Sequence, residues 1–411
     1  MTTAPLRPFD PRDPRLRSDP HGLFALYRSA EPVHWSETAH SWILTRHRDI
    51  SGLLRSPGLD PASVLAFSDA VAARVGRNWP ALQSFIDAIL FLDASAGHRQ
   101  ARRLLAATLN ARPLSEYAPM IAGVAEEMLA PLRGERAFDV VARFTDPLPF
   151  RVMCRIMGVP DDVGAHLYAI SRSVLRLFNF VLGVREMEDF ERWLSAAFAE
   201  IARLVDARRR VPREDGMTRL MELARNEEGV DDRWLHSRIL FLVLVGAETT
   251  SAFLGSAIRR SLDEPEVRRA AADPARLPQV VEELLRLDSP VILAARRATA
   301  DIVVDGRTFP AGSGFIPYIT AGNRDPEAYP DPDRFQPGRS GPGNLAFGEG
   351  AHACLGGALA RLEARVVLPA FFAAIPPARP GEPADEWVPL DTFRRLARLP
   401  ILVDGPDPEC Q

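Results

Sequence analysis

Phe347-Gly348-Glu349-Gly350-Ala351-His352-Ala353-Cys354-Leu355-Gly356 sets one cysteine among small residues. Glycine lacks a Cβ, so such a loop can take φ > 0 and let something flat or large approach its backbone closely. The next residues, Gly357-Ala358-Leu359-Ala360-Arg361-Leu362-Glu363, read as a helix. Cys354 therefore falls at or near a helix N-terminus, where free N–H groups and the positive end of the dipole favour a thiolate. Three readings compete for it. A lone cysteine commonly packs as a small hydrophobe. A zinc site wants a second Cys-x-x-Cys, which is absent, and His352 is only two residues away. A cysteine nucleophile needs a histidine base, and the chain has 8 histidines. A thiolate in a turn of N–H donors can be either a nucleophile or a metal ligand.

The loop as a whole decides among these readings. Its pattern Phe-x-x-Gly-x-His-x-Cys-x-Gly, carried by Phe347, Gly350, His352, Cys354 and Gly356, closely resembles the haem-binding loop of the cytochrome P450 family. The resemblance implies that Cys354 is the axial thiolate and the metal ligand. It also implies that Phe347 packs over the sulfur, and that Gly348, His352 and Gly356 belong to the cofactor-binding loop. The expected fold is mainly α with small β-sheets (α+β), P450-like, with haem b (iron protoporphyrin IX) between a long central helix and the cysteine loop.

Bulk numbers set the limits around this motif. The 411 residues carry a net charge of −4, which argues against a dedicated nucleic-acid binder. Three cysteines, Cys154, Cys354 and Cys410, cannot make a disulfide framework and suit a reducing cytoplasm. Cys154 lies in an apolar run and reads as core, whereas Cys410 beside the C-terminus reads as exposed. Residues 1–20 are rich in Pro, Arg and Asp and hold no apolar run, so neither a signal peptide nor a membrane anchor is expected. The organisation expected is an N-terminal tail over 1–20 and a single catalytic domain over 21–411. All 50 basic side chains are arginine, and we have no functional account of that.

Going along the chain, Val33-His34-Trp35 and Ser41-Trp42-Ile43-Leu44 read as a hairpin, and 47–55 as a helix. Residues 56–92 read as a long irregular stretch whose apolar content (Val64, Leu65, Phe67, Trp79, Phe85, Ile89) argues against disorder. The resemblance makes it the roof of a substrate pocket. His98 opens a helix running to about Asn110 and shares a face with Arg102, four residues on. Taken alone, the two read equally as a solvated basic face. The resemblance makes them anchors for a haem propionate, a planar carboxylate to which arginine is well matched. Arg99 stands where relatives often have Thr, and Asp93-Ala94-Ser95-Ala96-Gly97 replaces their usual Asp-Pro-Pro. Helical spacing recurs over 115–132, 146–157, Asp161–Leu182 and Arg185–Arg210. The apolar junction Phe178–Val184 could be core or lid; the resemblance favours a mobile lid over a pocket for a sizeable apolar molecule.

A long helix follows, from about Asp232 to Leu262. Its segment Ile239–Val245 is apolar all round and is therefore buried, and it is too soon interrupted to span a membrane. The interruption is Gly246-Ala247-Glu248-Thr249-Thr250. A carboxylate and hydroxyls inside a buried helix need a reason. The plain structural reason is a hydroxyl bonded to a carbonyl one turn back. Resemblance to the family's [Ala/Gly]-Gly-x-[Asp/Glu]-Thr supplies another: Thr249 bonds the dioxygen, Glu248 supplies protons, and Gly246 leaves room. Val245 stands where that pattern has a small residue.

The remaining segments complete the resemblance. Glu283 and Arg286, three residues apart on a helix, match Glu-x-x-Arg and form a structural pair whose partner would be Arg334. Leu293 and Ala294 are pocket candidates in the extended run Pro290–Ala295. The frame Arg-x-Ala-x-x-Asp makes Arg296, rather than Arg297, a second propionate anchor. Ile302–Val304 and Thr308–Phe309 read as a hairpin around Asp305-Gly306. Residues 326–342 carry little regular structure, and the tail from Trp387 to Val403 reads as strands. Phe393 and Leu396 are further pocket candidates.

The function implied is a monooxygenase that inserts one atom of O₂ into a terpenoid, steroid or polyketide-like molecule. No flavin or nicotinamide fingerprint is fused to the chain, so a ferredoxin and its reductase are the implied donors. The basic run Arg99, Arg102 and Arg103 is expected to contribute to a docking face for an acidic partner, with Arg102 pointing inward. A monomer is expected. The alternatives are a haem-thiolate enzyme of another type, peroxygenase or oxidative coupling, and a haem carrier or sensor without turnover.

Overall fold

A computed structural model describes residues 9–10, 13, 15–18, 20–61, 76–90, 97–110, 112–179 and 182–404. The chain forms two compact units, each assembled from segments distant in sequence.

The first unit takes 1–64, 282–354 and 389–394. Val33–Ser36 and Ser41–Leu44 pair antiparallel, as their alternating apolar residues predict. Ser41–Leu44 then pairs parallel with Gly314–Pro317, and Arg296–Ala298 and Leu59–Pro61 complete a five-stranded sheet. The helix His47–Arg55 buries Ile50, Leu53 and Leu54, the i, i+3, i+4 stripe of an amphipathic helix, against Val33, Leu44 and Phe315. The expected second hairpin forms between Ile302–Val304 and Arg307–Phe309. Its turn residues Asp305 and Gly306 have φ of 50° and 72°, as a two-residue hairpin turn requires. Phe9, in the stretch expected to be a tail, is instead buried against Tyr27 and Tyr318 and accepts a 2.8 Å bond from Ser36 Oγ.

The second unit takes 65–281, 355–388 and 395–411 and is mostly helical. Its longest helix, Asp232–Asp263, starts where the Asp231 carboxylate accepts the Trp234 N–H at 2.7 Å and stops before Pro265. Ile239 to Leu244 are buried all round. The helix is long and apolar enough to cross a membrane, yet most of its apolar stretch lies inside the protein.

Two regions differ from the sequence reading. The stretch 56–92 contains the strand Leu59–Pro61 and the helix Pro80–Asp87. Local sequence hides that helix because its start is made by a distant residue. Pro80 sits in its first turn, and Glu191, more than a hundred residues on, accepts the N–H groups of Ala81 and Leu82 at 3.1 and 2.9 Å. Arg77 also pairs with Glu188. Val64, Leu65 and Phe67 lie outside the described residues. The second difference is at the expected lid. The helix Asp161–Val174 tightens into a 3₁₀ turn, Leu175–Phe178, before the long helix Val184–Arg210 begins. Phe178 and Leu182 at this junction are buried; Phe180 and Val181 lie outside the described residues. The far end of the long helix is fastened by Arg208, whose Nε meets Asp215 Oδ2 at 2.6 Å and whose Nη2 donates to the Gly158 carbonyl at 2.6 Å.

Candidate functional site

The cysteine loop belongs to the first unit as far as Cys354. The Cys354 N–H donates to the Phe347 carbonyl at 2.7 Å and closes the loop. Gly348 and Gly350 have φ of 62° and 72°, and a Cβ on Gly350 would stand 2.4 Å from the Leu54 carbonyl oxygen. Glycine is thus required at 350 twice over, by torsion and by space. Around the loop, Asn323 Oδ1 accepts the Leu345 N–H at 2.7 Å and Ser51 Oγ donates to Glu349 at 2.5 Å. Cys354 is exposed, Phe347 and His352 are half-buried, and the helix Gly357–Ala374 follows as expected. Cys154 behaves in the opposite way: it is buried, and burial pushes its thiol up to about 12, so it is an inert packing residue. Cys410 lies outside the described residues.

Behind the loop, Arg286 makes two 2.8 Å bonds to Glu283 and donates to the carbonyls of Asn323 and Pro332 at 2.8 and 2.7 Å. The expected third member needs correcting. Arg339 Nε, not Arg334, meets Glu283 at 2.8 Å. The Arg334 side chain is exposed, and only its backbone carbonyl is used, by Arg286 and Arg339. Burial would raise the Glu283 carboxyl, but the bonds from Arg286 and Arg339 outweigh it and hold the group below its usual range.

On its strand, Arg296 points inward and Arg297 outward. Arg296 is 7% exposed, donates to the Ala295 carbonyl at 2.9 Å, and has no carboxylate partner among the described residues. Burial lowers its pKa to about 10. Leu293 bridges Tyr318, and Phe393 bridges Val291; both are buried, whereas Ala294 is half-buried.

In the second unit, His98 is buried and Arg102 half-buried on the helix His98–Leu109. Among the described residues Arg102 has no ion-pair partner, while Arg103 is taken by Glu227 at 2.8 Å. Leu396, a further pocket candidate, is also buried. It pairs with Trp387 and packs toward Gly255.

The central helix divides at the acid and the alcohol. Gly246 is exposed and Val245 and Thr249 are half-buried, while Ala247, Glu248 and Thr250 are buried. A Cβ on Gly246 would meet Met153 at an ordinary 3.5 Å. Ser237 and Ser261 bond back to carbonyls of their own helix at 2.9 and 2.6 Å. Among the described residues Thr249 makes no such side-chain bond, so the plain structural reason for a hydroxyl does not apply to it. Glu248 turns the other way and pairs with Arg395 Nη1. Arg395 Nη2 lies 2.6 Å from Asp146 Oδ2, and Asp146 Oδ1 accepts a 2.6 Å bond from Ser251. Burial pushes the Glu248 carboxyl up to about 7 against the pull of Arg395, and the Asp146 charge adds to the rise.

Comparison with known proteins places the chain among its relatives. A profile of the family "Cytochrome P450" matches residues 276–374. Cytochrome P450 105A3 of Streptomyces carbophilus is 30% identical over 398 residues, covering 94% of this chain and 91% of that protein. The chain belongs to the cytochrome P450 family. The Vitamin D(3) 25-hydroxylase of Pseudonocardia autotrophica is 28% identical, with 94% of each chain covered. The crystal structure of CalO2 superposes with a TM-score of 0.87 at 26% identity over 97% of this chain and 99% of that one. The protein is thus a P450 monooxygenase with the P450 fold, and its cofactor is protoporphyrin IX haem iron.

The residues of this P450 suit that cofactor. An exposed cysteine on a glycine-shaped loop offers a sulfur ligand, and the buried Arg296 has no carboxylate partner among the described residues, which suits it to an anion. Asp146, Arg395 and Arg339 escaped the sequence reading. One signal was available for Arg395: a buried glutamate in an apolar helix demands a cation. Nothing local said which of 50 arginines supplies it.

Proposed function

We propose that this P450 inserts oxygen into a sizeable apolar molecule of terpenoid, steroid or polyketide-like type, with electrons from a ferredoxin and its reductase, in the cytoplasm. The relative named as a vitamin D(3) hydroxylase supports the apolar class. In this reading Cys354 is the axial ligand, His98, Arg102 and Arg296 hold propionates, and Phe347, Gly348, His352 and Gly356 shape the loop. Haem held by a thiolate supplies the activation of dioxygen. The chain supplies orientation and protons. Thr249 presents a hydroxyl not used by its own helix, and Glu248 stands behind it as the proton source. The observation that carries the proposal is this division: a half-buried Thr249 that makes no side-chain hydrogen bond among the described residues, next to a buried acid whose carboxyl burial pushes up to about 7.

The first test is the absorption spectrum of reduced, carbon monoxide-treated protein. A strongly red-shifted Soret band is expected in the wild type and lost in Cys354→Ala; an unchanged band removes the axial assignment. Apolar compounds that shift the spin state then serve as substrates. Thr249→Ala is expected to keep consuming electrons but release hydrogen peroxide in place of product, with coupling reduced at least about tenfold. Unaltered coupling counts against the role of Thr249.

A further inference from the structure

Position 349 is open in the pattern Phe-x-x-Gly-x-His-x-Cys-x-Gly, so the family resemblance gives Glu349 no task. Its surroundings give it one. Glu349 is extended, with φ of −140° and ψ of 169°, between Gly348 and Gly350, which both take positive φ. Its side chain leaves the loop and meets the helix His47–Arg55. There the buried Ser51 donates its hydroxyl to the carboxylate at 2.5 Å, and the exposed Arg55 brings Nε to 3.8 Å. A carboxylate beside the last turns of a helix meets the negative end of the dipole. The hydroxyl bond offsets that, because hydrogen bonds to a charged acceptor are the strong ones. An exposed arginine at the longer distance adds little.

The same helix holds the cysteine loop at other points. His47, Ser51 and Arg55 are spaced by four residues and share one face. The His47 Nε2–H donates to the Gly343 carbonyl at 3.0 Å, and the Tyr329 hydroxyl donates to the same oxygen at 3.0 Å. The Leu54 carbonyl stands against Gly350. Ile50, Leu53 and Leu54 pack with Val33, Leu44 and Phe315 of the sheet. The helix is therefore fixed to the sheet by its apolar side chains and to the loop by its polar ones. Helix, sheet and loop as far as Cys354 all lie in the first unit. Within the loop the Cys354 N–H closes onto the Phe347 carbonyl, two residues before Glu349. A loop released at 349 thus loosens its closure at 354.

We propose that Ser51 and Glu349 are positioning residues for the Cys354 sulfur: through their hydrogen bond the helix His47–Arg55 acts as a splint that passes the rigidity of the sheet to the loop. What Glu349 contributes is a held oxygen, and its charge is secondary. The proposal rests on the reading of Cys354 as axial ligand.

The test uses the haem-loaded protein, reduced, treated with carbon monoxide and kept in urea well below its unfolding transition. The readout is the rate at which the red-shifted Soret band gives way to that of haem without its sulfur ligand. Ser51→Ala and Glu349→Ala are expected to lose the band about tenfold faster than wild type, the scale of one hydrogen bond to a charged group. Glu349→Gln keeps an oxygen that accepts the Ser51 hydroxyl and should stay within about threefold of wild type. Leu53→Val trims the sheet side of the same helix, so it should lower the urea midpoint yet keep the band within about threefold of its wild-type lifetime. Amide exchange at Cys354 should quicken in Ser51→Ala and Glu349→Ala and remain slow in Glu349→Gln. If band loss simply follows the urea midpoint across these four variants, Ser51 and Glu349 only stabilise the fold and the proposal fails alone. It also fails alone if both alanine variants keep the wild-type lifetime, or if Glu349→Gln loses the band as fast as Glu349→Ala. If Cys354→Ala retains the red-shifted band, the reading of Cys354 as axial ligand fails first and takes the proposal with it.

Discussion

Removing the Arg286 guanidinium would leave the Glu283 carboxylate buried with only Arg339 and the Gln336 N–H for company. Arg286→Ala should therefore cost about 3–5 kcal/mol in denaturant unfolding, the range for a buried pair broken on one side. Arg334→Ala should stay within about 0.5 kcal/mol, because the side chain is exposed and its carbonyl survives the change. Equal losses would show that Arg334 acts through its side chain after all. The contrast also shows what single residues reveal in sequence. Cys354, Glu248, Thr249, Glu283, Arg286 and Arg296 could be picked out because each sits in a short pattern. Arg339 could not, because its pairing with Glu283 spans 56 residues and no local spacing marks it.

At the scale of elements, hydrophobic periodicity marked the central helix, the hairpins and the helix after the cysteine loop, all of which are encoded locally. It did not mark Pro80–Asp87, whose first N–H groups are satisfied by Glu191 from the long helix Val184–Arg210. Nor did it mark the π turn at Val141–Thr145, a single turn of 5 residues that is too short to show a period of its own. The Glu191 contact gives a direct prediction. Glu191→Ala should cost about 0.5–2 kcal/mol locally, the scale of a lost cap. Amide exchange should quicken over 80–87 while the global unfolding midpoint barely moves. Unchanged protection there would mean that packing of Leu82 and Phe85 alone holds the helix.

For the whole molecule, buried acids shape the response to pH. Glu248 is pushed up to about 7 by burial, and Glu363, fully buried on the helix Gly357–Ala374, is raised well above its usual 4.5 for the same reason. A folded value above the unfolded one means that the folded chain keeps a proton the unfolded chain has shed. The stability from Glu248 is complete below about pH 4.5 and is lost as pH rises through about 7. Wild type should thus weaken relative to Glu248→Gln between those values, seen as a falling difference in urea midpoints. A difference that does not change with pH would place the Glu248 proton affinity near that of an ordinary carboxyl. None of this was legible in composition: a net charge of −4 says nothing about which carboxylates are buried.

The fastening of Val184–Arg210 at Arg208 also has a mechanical side. Pinned at that end, the helix could swing only against the packing of Met187, Phe190, Leu194 and Ile201, which are buried along it. Val184 stands about 36 Å from the pivot and Glu191 about 25 Å, at ~1.5 Å of rise per residue. A tilt of about 5° at Arg208 would swing Val184 through about 3 Å, the width of a water molecule, and would carry the helix held by Glu191 through about 2 Å.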